Sequence, residues 1–374
     1  SDSDNLIVVV SAMSGMTDDL LSFSQTKDEK LLKAIESRYI ETVESLLKDS
    51  SKEHRLIEEF RQDIQKIKDI AVQKDHNSIN VEENEILGFG EIWSSKMLHN
   101  YLTSLSDIKS SWINPMEFLV IRNQEMGANV NWSKSKEAFN QRFQDIDGKI
   151  IMGGFIASDE EGRPTNLGRN GSDYSASILG SLSESNSVTI WTDVDGVLTG
   201  DPRVVSKARI IEQMTYDEAV ELSYFGAEVI HPKTMAPLMH KGTHLYIKNT
   251  FNPESAGTCI SSKQENIRAV KGITTIKGIA LINIEGTGMI GVPGIVKRLG
   301  SVLQMANISI VLISQAGSEH SICFAVRSKD IKKAADVIKQ EFENDFKNKN
   351  LNALQVEEDC SILAIVGSGM TGTK

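Results

Sequence analysis

Within its 374 residues the sequence holds no apolar run long enough to span a bilayer and no excess of basic residues; the net charge is −11, from 40 Lys and Arg against 51 Asp and Glu. The first lack argues against a membrane protein of the helical kind. The second argues against nucleic acid as a partner, because neutralising phosphates takes a basic face. Cysteine is scarce: Cys259, Cys323 and Cys360 are odd in number, widely spaced and without a C-x-x-C pair. They read as small core residues of a reducing, cytoplasmic compartment, not as disulfides or metal ligands. The seven histidines form no H-E-x-x-H or similar cluster, so no resident metal site is expected. There is no initiator Met and no signal peptide. The chain enters an apolar strand almost at once and stops just after another, as expected of a fragment lacking sequence at both ends.

What is present is ordinary globular composition, 40% hydrophobic and 24% charged, with length for two or three domains. Leu6 to Ser11 is a continuous apolar run, the signature of a strand buried on both faces in a parallel sheet covered by helices. Leu32, Ile35, Tyr39, Val43 and Leu46 recur at three and four, as do Leu56, Phe60, Ile64 and Ile67, predicting two amphipathic helices. FLVI (118–121) predicts a short strand, WSKSKEAFNQRF a helix, and KIIMGGFIA a buried strand ending in Gly153, Gly154 and Phe155. Val188 to Trp191 predicts another strand, delivering Thr192 and Asp193 into a D-G turn. One long helix is expected over TYDEAVELSYFGAEVIHPKTMAPLMHKG, then the strand LYIKNT. Strand, loop and helix in this alternation is the α/β pattern, whose sites lie at the carboxyl ends of strands.

Two stretches carry candidate chemistry. In TNLGRNGSDYSASILG, Ser172 suits an N-cap and Asp173 the positive end of the helix dipole. Arg169 just before them puts a guanidinium beside free backbone N–H groups, a combination suited to an anion; a capped surface helix with a solvated Arg is an equal reading. In EILGFGEIW, Gly88 and Gly90 sit in a helical pattern where each costs about 1 kcal/mol relative to Ala, and Glu91 follows. Small residues beside a carboxylate admit a ligand to the backbone, or serve tight helix packing. Asp193, Asp195 and Asp201 lack the remaining ligands of a calcium loop.

After SSKQENIR the pattern changes to strand, glycine loop, helix, strand, strand and helix (Lys329 to Phe346), and LQVEEDCSILAIVGSGMTG starts it again. IEGTGMIG and IVGSGMTG repeat with Gly286 and Gly367 81 positions apart, which marks a small βαββαβ unit and its second copy. The two G-x-G-x-x-G matches sit in units too short for a dinucleotide domain.

VVVSAMSGMTD, GFGEIW, MGGFIAS, LGRNGSDYSA, IWTDVDGVLTGDPR and SYFGAEVIHPKTM, in this order, resemble the aspartokinases of the amino-acid-kinase fold, and ISQAGSEHSICFAV resembles their ACT domains, particularly those of fused aspartokinase–homoserine dehydrogenases. The resemblance implies an open, largely parallel sheet between helix layers over residues 1–262, with its N-terminal strand missing, and an ACT regulatory region over 263–374 with a truncated second repeat. It implies transfer of the ATP γ-phosphoryl to the side chain of L-aspartate, giving 4-phospho-L-aspartate for lysine, threonine and methionine biosynthesis, with Mg2+ and without a Walker A motif. Carried over residue by residue, Glu91 takes the substrate ammonium and Arg169 a substrate carboxylate. Thr17 and Phe155 shape that pocket, and Ser172 and Asp173 anchor the site beside the transferring phosphate. Ser11 and Gly15 lie near the phosphates, and Thr192, Asp193 and Arg203 hold the nucleotide. Gly288, Gly294, Ile313 and Gln315 would bind an amino-acid effector, threonine or lysine, in a homodimer or homotetramer built through ACT units.

The sequence departs from this pattern in three places. Nothing supplies the Lys-Phe-Gly-Gly motif whose Lys meets the phosphates, so the chain alone is expected to be inactive. Glu228 stands where many members have Lys, and Leu198 where a Tyr is common. The competing readings are another amino-acid kinase, a non-catalytic amino-acid sensor and, on the decoy glycines alone, a dehydrogenase.

Overall fold

The structure, a computed structural model, describes residues 6–48, 51–72, 79–105, 108–124, 127–144, 146, 148–226, 229–263, 268–315 and 317–370. They form two compact units. The first takes residues 1–196, 212–216 and 230–264; the second takes 197–211, 217–229 and 265–374.

In the first unit the opening apolar run is β1 (Ile7–Val10), followed by α1 (Met16–Thr26), α2 (Glu29–Leu47), α3 (Ser51–Val72) and α4 (Ile79–Ser104). The predicted periodicities hold with one exception: Leu32, Ile35, Tyr39 and Val43 of α2 and Leu56, Phe60, Ile64 and Ile67 of α3 are buried, but Leu46 is exposed and Leu47 closes the apolar face in its place. Tyr39 stacks on Phe60 at 4.2 Å, and Trp93 of α4 meets Phe60 edge-on while donating to the buried Asp63 at 3.1 Å. Asp28 caps α2 by accepting from the Lys30 N–H.

Next come β2 (Ser110–Trp112), β3 (Ile121–Gln124), β4 (Gly127–Val130), α5 (Trp132–Phe143), β5 (Lys149–Gly153), β6 (Ile156–Ser158), β7 (Pro164–Asn166), α6 (Gly171–Leu182) and β8 (Ser187–Thr192). FLVI does not form the expected strand: Phe118 follows a 3-10 turn begun by Pro115, Val120 makes only an isolated bridge to Ser158, and the strand starts at Ile121. A proline that fixes its own φ and lacks a donor favours the turn here. The parallel sheet runs β1-β5-β2.

The chain then leaves for residues 197–211, returns in β9 (Gln213–Thr215), and leaves again within α7 (Tyr216–Tyr224). The single helix expected here is two, α7 and α8 (Pro232–Met239), because Gly226 adopts φ 118 and Pro232 opens the next helix behind the His231 cap. β10 (His244–Asn249) and β11 (Thr258–Ser261) complete a second sheet, β8-β10-β11-β9, in which β8 and β10 are parallel.

The second unit contains β12 (Gly272–Glu285), α9 (Ile295–Met305), β13 (Leu312–Gln315), β14 (Ser321–Arg327), α10 (Ile331–Glu341), α11 (Glu343–Lys347) and β15 (Ala353–Val366). This is the βαββαβ order read from the sequence, with an antiparallel sheet β13-β14-β12-β15. The long strands β12 and β15 pair over most of their length. The repeat becomes a local pseudo-twofold: the Lys271 N–H donates to Val366 O at 2.8 Å, and 81 positions on the Asn352 N–H donates to Glu285 O at 2.7 Å. Glycine is required in both loops for one reason. A Cβ at Gly286 would stand 2.2 Å from Asn350 O, and one at Gly367 2.3 Å from Ala269 O.

Candidate active site

The β5–β6 turn joins the two stretches singled out in the sequence. A Cβ at Gly153 would touch Glu91 at 3.0 Å, one at Gly154 would lie 2.6 Å from Ser172 Cα, and Phe155 is packed so closely on Gly171 that a Cβ there would be 2.6 Å from its ring. Three consecutive residues therefore set helix α4 and the N-terminus of α6 side by side. Phe155 is held at φ 62, its N–H donating to Ser175 Oγ, which donates in turn to Gly171 O. A bulky residue at positive φ is strained, and such strain is tolerated where surrounding structure fixes it.

Glu91 is 4% exposed, and its Oε2 has no hydrogen-bond partner. Burial raises its carboxyl to about 7, with the backbone amides of Glu91 and Ala12 opposing. A buried carboxylate with an unused oxygen calls for a cation. Gly88 and Gly90 answer to packing instead, since a Cβ on them would press on Ile156 at 2.7 Å and Ala12 at 3.0 Å.

At α6 the sequence reading is corrected. Asn170, left-handed at φ 57, is the N-cap, no side chain caps the helix, and Ser172 lies within the first turn. The helix starts two residues earlier than expected, at Gly171, which packs on Phe155. The first-turn amides are thus not taken up by a capping side chain. Asp173 is half-buried, and desolvation raises its carboxyl above the usual range. Arg169 is exposed, and no hydrogen bond or ion pair is found for it among the described residues.

The Ser11–Gly15 loop follows β1: Ser94 Oγ donates to Ser11 O at 2.5 Å, and Gly15, at φ 73, precedes α1, whose first turn contains Thr17. Sequence reasoning missed Arg38. It lies on α2, to which no chemistry was given, yet its Nη1 would be 3.8 Å from a Cβ on Gly15, its Nη2 pairs with Asp19 at 3.0 Å, and its buried Nε has no partner. An amphipathic helix pattern carries no signal for such a residue.

Thr192 and Asp193 close β8, with the Thr192 hydroxyl 3.2 Å from Asp193 Oδ1. Asp195, assigned only to turn chemistry, accepts from Asn249 and Asn252 at 2.9 and 3.1 Å and ties the loop after β8 to that after β10. Arg203 belongs to the second unit, where its guanidinium, 86% exposed, forms a two-pronged ion pair with Asp201. Leu198 makes an isolated bridge to Ile210. Glu228 lies outside the described residues. No group of three or more His, Cys, Asp or Glu able to hold a metal is present among the described residues.

Of the effector candidates, Gly294 and Gln315 line one cavity of about 320 Å³ with Met289, Gly291, Glu319 and Ile322. Gly294, at φ 92, precedes α9, and the Gly291 N–H donates to Glu319. Gly288 and Ile313 are outside that lining; Gly288 packs on Asn350. A larger cavity of about 620 Å³, lined by Trp132, Tyr174 and Pro237 among others, contains none of the predicted residues.

The profile of the amino acid kinase family matches residues 1–249, two-thirds of the chain. The chain belongs to the amino acid kinase family. An ACT domain matches residues 282–342, the βαββα part of the second unit. Among curated relatives, bifunctional aspartokinase/homoserine dehydrogenase 2, chloroplastic, of Arabidopsis thaliana is 36% identical over 99% of this chain but only 42% of its own length. This chain thus spans about two-fifths of that relative. Among solved structures, E. coli aspartokinase III with aspartate and ADP (R-state) superposes with TM-score 0.77 at 25% identity, covering 97% of this chain and 80% of that one. The same enzyme with lysine and aspartate (T-state) gives 0.75 over 96% and 80%. This amino acid kinase therefore has the fold expected from its motifs, followed by an ACT domain. No described helix is long and apolar enough to cross a membrane.

Proposed function

We propose that this amino acid kinase is the aspartate kinase part of a longer protein, transferring the γ-phosphoryl of ATP to the side-chain carboxylate of L-aspartate. The observation that carries the reading is one turn, Gly153–Phe155, holding a buried carboxylate with one unpartnered oxygen (Glu91 Oε2) and the uncapped start of α6 behind Arg169. A substrate with one ammonium and two carboxylates matches those charges. Glu91 binds the ammonium, Arg169 a carboxylate, Thr17 and Phe155 bound the pocket, and Ser172 and Asp173 sit where the acceptor oxygen meets the phosphoryl group. Ser11 and Gly15, in the loop before α1, offer exposed backbone to phosphates, and Thr192 and Asp193 are assigned to the nucleotide; Arg203, in the second unit and paired with Asp201, is given no role there. Phosphoryl transfer asks the protein mainly for positioning and charge. ATP supplies the phosphoryl group, and Mg2+ travels with its phosphates.

Residues 1–262 are the catalytic region in this reading and 263–374 the regulatory one, pairing as a homodimer or homotetramer. An amino acid, threonine or lysine, occupies the cavity lined by Gly294 and Gln315, of which Gly288 and Ile313 are not part. The cysteine usage fits a cytoplasmic location, although the plant relative is chloroplastic. The test is aspartate-dependent ADP release from MgATP by the full-length protein, repeated with threonine or lysine and with Gln315→Ala. Turnover that does not depend on aspartate sinks the kinase assignment; inhibition unaltered by Gln315→Ala sinks only the effector site.

A further inference from the structure

One face of α4, wholly within the first unit, carries three contacts in sequence. Glu91 lies against Gly153 of β5, Gly88 against Ile156 of β6, and Asn84 accepts at Oδ1 from the side-chain amide of Asn166, the last residue of β7. Positions 84, 88 and 91 are four and three apart, the spacing of one helix face, and Asn84 stands two turns, about 10 Å, from Glu91. The helix that buries the carboxylate therefore also grips the strand leading to Arg169.

The loop after β7 is short and held at both ends. Asn166 Oδ1 accepts from the Gly168 N–H at 2.9 Å, and the N–H of the buried Leu167 donates to Phe155 O at 2.9 Å. Beyond them Gly168 and Asn170 are both left-handed, at φ 75 and 57, with Arg169 between, and Gly171 already packs on Phe155. Only Gly168, Arg169 and Asn170 of this loop are exposed. Arg169 is thus aimed by the turn around it. The Asn166 side chain works in two directions: its oxygen is taken by the Gly168 N–H, so its Nδ2 is the group that faces Asn84.

We propose that Asn166 is a positioning residue, and that its bond to Asn84 ties the Arg169 loop to the helix face of Glu91, fixing the spacing of the two charges that receive the amino acid. This deepens the kinase reading above, and its kinetic arm rests on that reading. A small zwitterion held by two opposite charges depends on their separation, and a misplacement of about 1 Å at such a site costs up to about a hundredfold in rate. The experiment compares full-length wild type, Asn166→Asp, Asn84→Leu and Asn84→Asp by steady-state kinetics and by amide exchange without ligand. Asn166→Asp keeps the acceptor for the Gly168 N–H but sets two oxygens against each other; Asn84→Leu removes the acceptor, and Asn84→Asp retains it. The aspartate KM is expected to rise by about fivefold or more in Asn166→Asp and Asn84→Leu, the MgATP KM to change by less than about twofold, and Asn84→Asp to stay near wild type. Exchange at Gly168–Gly171 is expected to rise by about fivefold in the same two variants. An aspartate KM at the wild-type value in both, or equal rises for aspartate and MgATP, overturns the proposal. If the wild type shows no aspartate-dependent turnover, the kinase reading fails and exchange alone decides: a rise at Gly168–Gly171 retains the tether, and unaltered exchange there overturns it.

Discussion

Burial raises the Glu91 carboxyl to about 7, and the sign of the consequence is unusual for an acid. The folded, unliganded chain binds this proton more tightly than the unfolded chain does, so stability is lost as pH rises from the ordinary carboxylate range through about 7. The shift corresponds to up to about 3 kcal/mol. Glu91→Gln removes that penalty, and the melting-temperature difference between variant and wild type should widen in favour of the variant from pH 5 to 8. A constant difference would mean that Glu91 does not titrate there. With substrate the preference reverses, because an ammonium needs the ionised form. Aspartate KM should therefore rise below pH 7 and rise strongly in Glu91→Gln, while ATP KM moves little. For Arg169, exposed in the unliganded chain, loss of a charge-assisted contact to the substrate carboxylate costs about 1.5–3 kcal/mol, so Arg169→Ala should lower kcat/KM for aspartate by about tenfold or more. Steady-state kinetics at wild-type values would remove Arg169 from the site.

Glycine positions decide the arrangement of elements around that site. Gly154 lies against the backbone of Ser172, where a Cβ would be 2.6 Å away, whereas Gly300 in α9 faces open space. Overpacking against backbone costs about 1–3 kcal/mol, and an Ala in an open helix position gains up to about 1 kcal/mol over Gly. Urea denaturation should thus show Gly154→Ala destabilised, with lost activity as α6 is displaced, and Gly300→Ala equal to or more stable than wild type. Destabilisation of similar size in both would show that chain entropy, not the close approach, sets these residues. The same balance explains two element-level departures from the sequence expectation. Pro115 made a turn before the anticipated FLVI strand, and Gly226 with Pro232 divided one periodic pattern into α7 and α8. Periodicity reports which face is buried but not where the backbone breaks.

At the scale of the molecule, the second unit is discontinuous. Residues 197–211 and 217–229 group with the C-terminal part, and the Ile273 N–H donates to Thr199 O at 2.9 Å, supplying a hydrogen bond that β12 lacks within its own sheet. A fragment of residues 263–374 alone should leave that amide and the Ser368 loop without their partners. Hydrogen exchange at Ile273 is expected to be protected in the full chain and to approach the unprotected rate in the fragment. Equal protection would mean that β12 and β15 suffice, as a boundary near 262 would have it.

Periodicity and glycine spacing determined the α/β class, the βαββαβ unit and its repeat, because these depend on local backbone preference and on which side chains must be apolar, whereas most residues proposed for the site came from the resemblance of the ordered motifs. Glu91 was legible as a carboxylate beside two helical glycines, though those glycines proved to serve packing. Only the tertiary structure decided that Asn170 and not Ser172 begins α6, since that follows from the contact between Phe155 and Gly171 across the turn. It alone brought Arg38 to the Gly15 loop and Glu218 to Ser368, a pair 150 positions apart. Contacts of that kind are fixed by the meeting of distant surfaces, and a buried charge is recognisable only once what surrounds it is known.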